Sequence, residues 1–150
     1  METTLDGVRI DLPGPTGERN QLDFVPRGTV LCAPNGTASL LNQLAAAFAT
    51  GNRALVLAET LPALPIAVKE HVRFINAQEL DGSEFAMALV EQGLPGDLQA
   101  RLAARPGAIV GIVDTRAGEP VALWRLVAER ALCVNTTAAG GNASLMTLGL

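Results

Sequence analysis

Two short runs, Thr29–Ala33 (TVLCA) and Arg53–Ala58 (RALVLA), are apolar at nearly every position. A strand of that kind has no face to offer water, so its sheet must be covered on both sides. Between the runs lies one amphipathic stretch. Pro34-Asn35-Gly36 makes a turn, and Thr37 or Ser39 is placed to cap a helix by accepting a bond from a first-turn amide. Leu40, Leu41, Leu44, Ala47 and Phe48 then recur at helical spacing. Gly51-Asn52 stops the helix, with glycine suited to the left-handed position after it. Residues 28–58 therefore read as one right-handed strand–helix–strand unit.

The alternation continues. The spacing predicts a short helix over 62–70 and a strand at VRFINA (72–77). Ser83 caps a helix at EFAMALVEQ (84–92), with Phe85, Ala88 and Leu89 on one face, and Asp97 caps another at GDLQARLAAR (96–105). GAIVGIVD (107–114) is a buried strand, EPVALWRLVAER (119–130) a helix with Pro120 near its first turn, and ALCVN (131–135) a further strand. The expected fold is α/β: three layers around a mostly parallel, Rossmann-like sheet whose parallel strands include Thr29–Ala33, Arg53–Leu57 and Ala108–Val113. QLDFV (21–25) reads as a half-buried strand with Leu22 and Phe24 inward. Residues 1–20, rich in glycine and proline, read as an extended arm or strap. The expected organisation is thus an arm (1–20), an α/β domain (21–134) and a terminal segment (135–150).

Aromatic residues are only 3% of the chain, so the core must be aliphatic. The net charge of −4 argues against general electrostatic binding to nucleic acid. Cys32 and Cys133 sit in apolar runs without a second ligand at metal spacing, and both read as buried thiols. No run reaches the roughly 18 apolar residues of a membrane span, and no leader pattern opens the chain, so the cytoplasm is the expected location.

Chemistry-bearing motifs are few. The single histidine, His71, reads as a surface residue, and there is neither a Gly-x-Gly-x-x-Gly run nor a Walker loop. Asp81 and Glu84 suit a helix start, and Gly140-Gly141 suits a tight turn better than an anion cradle. From Ala131 to Leu150 there is no Asp, Glu, Lys or Arg, yet Leu132, Val134, Leu145, Met146 and Leu148 need burial. Such a tail docks either on a partner or on its own sheet.

VPRGTVLCAPNGTASLLNQLAAAFATGNRALVLAETLP (25–62) resembles the nucleotide-binding half of the aldehyde dehydrogenase superfamily, with Pro34, Asn35, Ala49, Gly51 and Asn52 at matching positions. RPGAIVGIVD, followed by CVN, resembles a shortened version of that superfamily's C-terminal half. DLPGPTGERNQL and above all VNTTAAGGNASLMTLG resemble the C-terminal domain of the proline utilization A family, bacterial flavoproteins that oxidise proline to glutamate in two linked steps. The resemblance spans residues 11–149.

It implies a non-catalytic domain that covers the catalytic aldehyde dehydrogenase domain of the same polypeptide and helps seal the channel for the intermediate. Asn135, Thr136, Ala139, Gly140, Gly141, Asn142, Ser144, Leu145 and Met146 would form the docking motif. The parent would carry FAD and use NAD; this chain would hold neither. Homo-oligomerisation stays open. The superfamily's nucleophilic cysteine run and its Leu-Glu-Leu-Gly-Gly run do not occur, and Leu57 and Ala58 stand where a ribose-contacting lysine is usual. Asn35 matches an oxyanion-stabilising asparagine but has no nucleophile to serve. The alternatives are a degenerate nucleotide-binding module near Asn35 to Thr37 and a free-standing interaction domain.

Overall fold

A computed structural model describes residues 7–58, 64–94 and 96–135. Five parallel strands form the body: β3 (Thr29–Ala33), β4 (Arg53–Leu57), β5 (Val72–Ile75), β6 (Met87–Glu91) and β7 (Gly111–Thr115), in the order β5-β4-β3-β6-β7. Helix α1 (Thr37–Ala49) joins β3 to β4, α2 (Ile66–Lys69) precedes β5, and α3 (Asp97–Ala103) joins β6 to β7. The period-two geometry of the strands divides the apolar runs between two layers. Val30, Cys32, Val56 and Leu89 pack with Leu40 and Leu44 of α1. Leu31, Leu55, Ala88 and Val90 pack with Leu98 and Leu102 of α3. The three-layer α/β arrangement expected from the sequence is what the chain adopts. Its strand β7 starts later than expected, at Gly111, and leaves Ile109 97% exposed.

A second, antiparallel sheet has the order β1-β2-β8, built from β1 (Arg9–Leu12), β2 (Glu18–Pro26) and β8 (Val127–Asn135). The stretch expected as an extended arm supplies β1 and the first residues of β2. ALCVN does not join the parallel sheet; it is the second half of β8 and pairs with β2, Leu132 opposite Gln21. The helix expected over 119–130 is instead a short 3-10 turn, Leu123–Leu126, running directly into β8. Nine consecutive cross-strand pairs between β8 and β2 outweigh the local helical pattern.

The helix expected over 84–92 is also absent, since Met87–Glu91 form strand β6, buried at every position. An unbroken apolar run fits either element. Here β6 lies between β3 and β7, so Met87 and Leu89 serve one layer while Ala88 and Val90 serve the other. Ser83 does not cap a helix; its Oγ donates to the Glu79 carbonyl at 2.8 Å and closes a turn.

In β2 the expected facing is reversed. Gln21 and Asp23 are buried, whereas Leu22 and Phe24 are only half-buried. Gln21 Nε2 donates to Asp11 Oδ1 at 2.7 Å, and Asp23 accepts from Arg9 and Arg130, both at 2.8 Å. These pairs let the polar face be covered without orphaned groups. Cys133 is exposed, against the expectation of a buried thiol; it lies on β8, which among the described residues has a strand neighbour on one side only.

Candidate functional site

In an open parallel sheet, ligands bind outside the carboxyl ends of the strands where the strand order reverses. Here the chain moves from β3 outward to β4 and β5, then crosses back to β6 and β7, so the reversal lies between β3 and β6. A crevice of about 590 Å³ opens next to that point, over the carboxyl ends of β3 and β4 and between α1 and α3. Gly36, Thr37, Leu57, Ala58, Asp97 and Arg101 are among its walls.

Gly36 enters α1 with φ 101°, a conformation that other residues seldom adopt. A Cβ there would meet no protein atom within 4 Å, so what calls for glycine within the chain is the backbone turn. Neither Thr37 nor Ser39 caps α1 through its side chain. Thr37 is the first helical residue and exposed, while Ser39 is buried and turned toward β6. Leu40, Leu44 and Ala47 face the sheet as expected; Leu41 and Phe48 point outward, 50% and 37% exposed.

Among the described residues, two charged groups line the crevice, Arg101 and Asp97. The Arg101 guanidinium donates to the Ala77 carbonyl and to Asp81 Oδ2, both at 2.9 Å. Asp97, in the first turn of α3, adds a negative charge to the wall. Leu57 and Ala58 keep the end of β4 apolar where the superfamily resemblance would place a lysine. Cys32 is fully buried in β3, and burial pushes its thiol up to about 12, far from a nucleophilic thiolate.

Beside the crevice, on the α1 side of the sheet, lies a polar cluster that the sequence did not disclose. Glu91 ends β6 with a carboxylate that accepts from Ser39 Oγ at 2.7 Å, Thr115 Oγ1 at 2.8 Å and the Ala117 amide at 2.6 Å. Gln43 Nε2 donates to Thr115 Oγ1 at 2.8 Å, while Gln43 Oε1 is buried without a partner among the described residues. Burial alone would raise the Glu91 carboxyl; its three donors together outweigh that and hold it below the usual carboxylate range. The expected helix over 84–92, with Phe85, Ala88 and Leu89 on one face, assigned Glu91 no role. The available signal was a lone carboxylate closing an otherwise apolar run.

Of the residues expected in a docking motif, Asn135 ends β8 opposite Glu18. Thr136, Ala139, Gly140, Gly141, Asn142, Ser144, Leu145 and Met146 lie outside the described residues. Asn35 sits exposed in the turn before α1, and His71 is exposed beyond α2. Among the described residues, no group of three His, Cys, Asp or Glu side chains could hold a metal ion, and no helix is long and apolar enough to cross a membrane.

The fold is that of an aldehyde dehydrogenase-like α/β domain. It superposes on Staphylococcus aureus AldH, solved in a substrate-bound state, with a TM-score of 0.52 and 17% identity over 72% of this chain and 28% of that one. No protein-family model matches the chain. Its sequence is 42% identical over 152 residues to the bifunctional protein PutA of Escherichia coli K12, 45% identical over 155 residues to that of Salmonella typhimurium, and 38% identical over 160 residues to that of Rhizobium meliloti. Each match covers 95% of this chain. The chain belongs with the PutA proteins as a relative of one segment of them, spanning only 11% to 13% of the length of these relatives.

Proposed function

We propose that the chain is a non-catalytic domain of a bifunctional proline-catabolic enzyme. It covers the catalytic aldehyde dehydrogenase domain of the same polypeptide and helps to seal the passage of the intermediate between two active sites. The observation that carries this proposal is the match to PutA over nearly the whole chain but about a tenth of each relative. The crevice chemistry supports it, because Cys32 is sealed in the core and Arg101 is committed to Asp81. The surface supports it too. Ile10 and Leu12 on one face of the antiparallel sheet, and Leu132 and Val134 on the other, are 40% to 48% exposed, so each face keeps two apolar side chains that a covering partner could bury.

In this proposal the uncharged segment 135–150 docks on the catalytic domain, the parent carries FAD and uses NAD in the cytoplasm, and this chain holds neither cofactor. One observation favours a second function: the crevice opens at the carboxyl ends of parallel strands, the edge on which open α/β sheets bind nucleotides. Calorimetric titration of NAD into the chain separates the two. The covering domain gives no heat and no thermal shift at millimolar NAD. Saturable heat that is lost when Ala58→Glu obstructs the crevice would establish the nucleotide module instead.

A further inference from the structure

We propose that Glu91 is a built-in ligand: its carboxylate fills the anion position at the reversal point of the sheet, and the chain has thereby closed that position to ligands from solution. The topology comes first. Ala33 and Val90 are the last residues that β3 and β6 pair with each other, and Glu91, the next residue of β6, pairs with Thr115 of β7. Its side chain therefore starts at the crossover where this architecture receives anionic ligands.

The donor set comes second. Ser39 Oγ from the first turn of α1, Thr115 Oγ1 from the end of β7 and the Ala117 amide beyond it converge on one carboxylate. They come from α1 and from the end of β7 with the turn that follows it, and all three bonds are short. Ser39, Glu91 and Thr115 are 1%, 7% and 4% exposed, so water does not share these donors freely. Donors from separate elements aimed at one enclosed point are the form of an oxyanion-binding site. Here the oxyanion is tethered to the chain.

Gln43 Oε1, without a partner among the described residues, fits the same account. Gln43 spends its amide on Thr115 Oγ1, which orients the Thr115 hydroxyl proton toward Glu91, and its own carbonyl is left over. A buried acceptor without a donor is costly, and is tolerated where the remainder of its network requires the arrangement. The consequence is twofold. The Glu91 cluster ties α1 to the ends of β6 and β7, and its carboxylate leaves no room for a second anion among the same donors.

Glu91→Ala tests this by removing Cγ and the carboxylate, which are the atoms of an acetate ion. In the 150-residue chain, the variant should melt lower than wild type. It should regain about 2–4 °C in ~0.2 M acetate relative to chloride at matched ionic strength. Wild type should not distinguish acetate from chloride, because its site is full. Adding Ser39→Ala to Glu91→Ala should abolish the acetate response. An acetate response equal in wild type and variant, or none in a folded Glu91→Ala chain, overturns the proposal. If Glu91→Ala does not fold in either salt, Glu91→Gln decides. It keeps the shape but presents one acceptor and two unwanted protons to three donors, so its midpoint must fall, and an unchanged midpoint overturns the proposal.

Discussion

Asn52 Nδ2 donates to the Leu126 carbonyl at 2.9 Å, across 74 residues of sequence, while its Oδ1 accepts the Gly28 amide at 2.9 Å. Gly28 and Leu126 mark the two points where the chain passes between the sheets, just before β3 and just before β8. One side chain, 4% exposed, therefore pins both crossings. Thr50 Oγ1 accepts from the same Nδ2 at 2.7 Å and orients the amide.

Replacing Asn52 by Ala should cost about 2–4 kcal/mol, because a buried carbonyl and a part-buried amide lose their partner together. Denaturant unfolding of the variant should show the lower midpoint, and hydrogen exchange should quicken at Gly28 before it does in β3. An unchanged midpoint would mean that apolar packing alone sets the sheets against each other.

Asp23 lies between the guanidinium groups of Arg9 and Arg130, and their hydrogen bonds, Arg9's first, hold its carboxyl below the usual carboxylate range despite some burial. A carboxyl depressed in the folded state stabilises above its unfolded value, near 3.9, and that contribution is lost as pH falls through the folded value. The stability gap between wild type and Asp23→Asn should thus be full at pH 6 and close in acid, below about pH 4. A gap that widens on acidification would contradict the pairing.

The two thiols should differ sharply. Cys133 on the exposed stretch of β8 should react with iodoacetamide in the native chain, whereas Cys32 should react only after unfolding. Mass spectrometry of the alkylated native protein reads this directly. Equal labelling of both would mean that β3 opens far more readily than a fully buried central strand should.

The unit from β3 to β4 was legible because several signals agree there: wholly apolar strands, a helical period between them and Gly-Asn at the stop. MALVE was not legible, since an apolar run satisfies a helix face and a doubly covered strand alike, and only its neighbours β3 and β7 decide. LWRLVAER was misread for a related reason. Its partner, β2, lies about a hundred residues away, and local spacing carries no information about pairing at that distance. The Glu91 cluster draws Ser39, Gln43, Glu91 and Thr115 from three elements, and no spacing rule brings those positions together.

The most direct test of the proposed role is a coupled progress curve in a full-length PutA-type parent lacking residues 136–150 of this chain. Proline is supplied, flavin reduction reports the first step and NADH appearance reports the second. A covering, channel-sealing domain predicts unchanged proline oxidation with a lengthened lag before NADH, or a slowed aldehyde step. Unchanged lag together with an unchanged aldehyde dehydrogenase rate would contradict it.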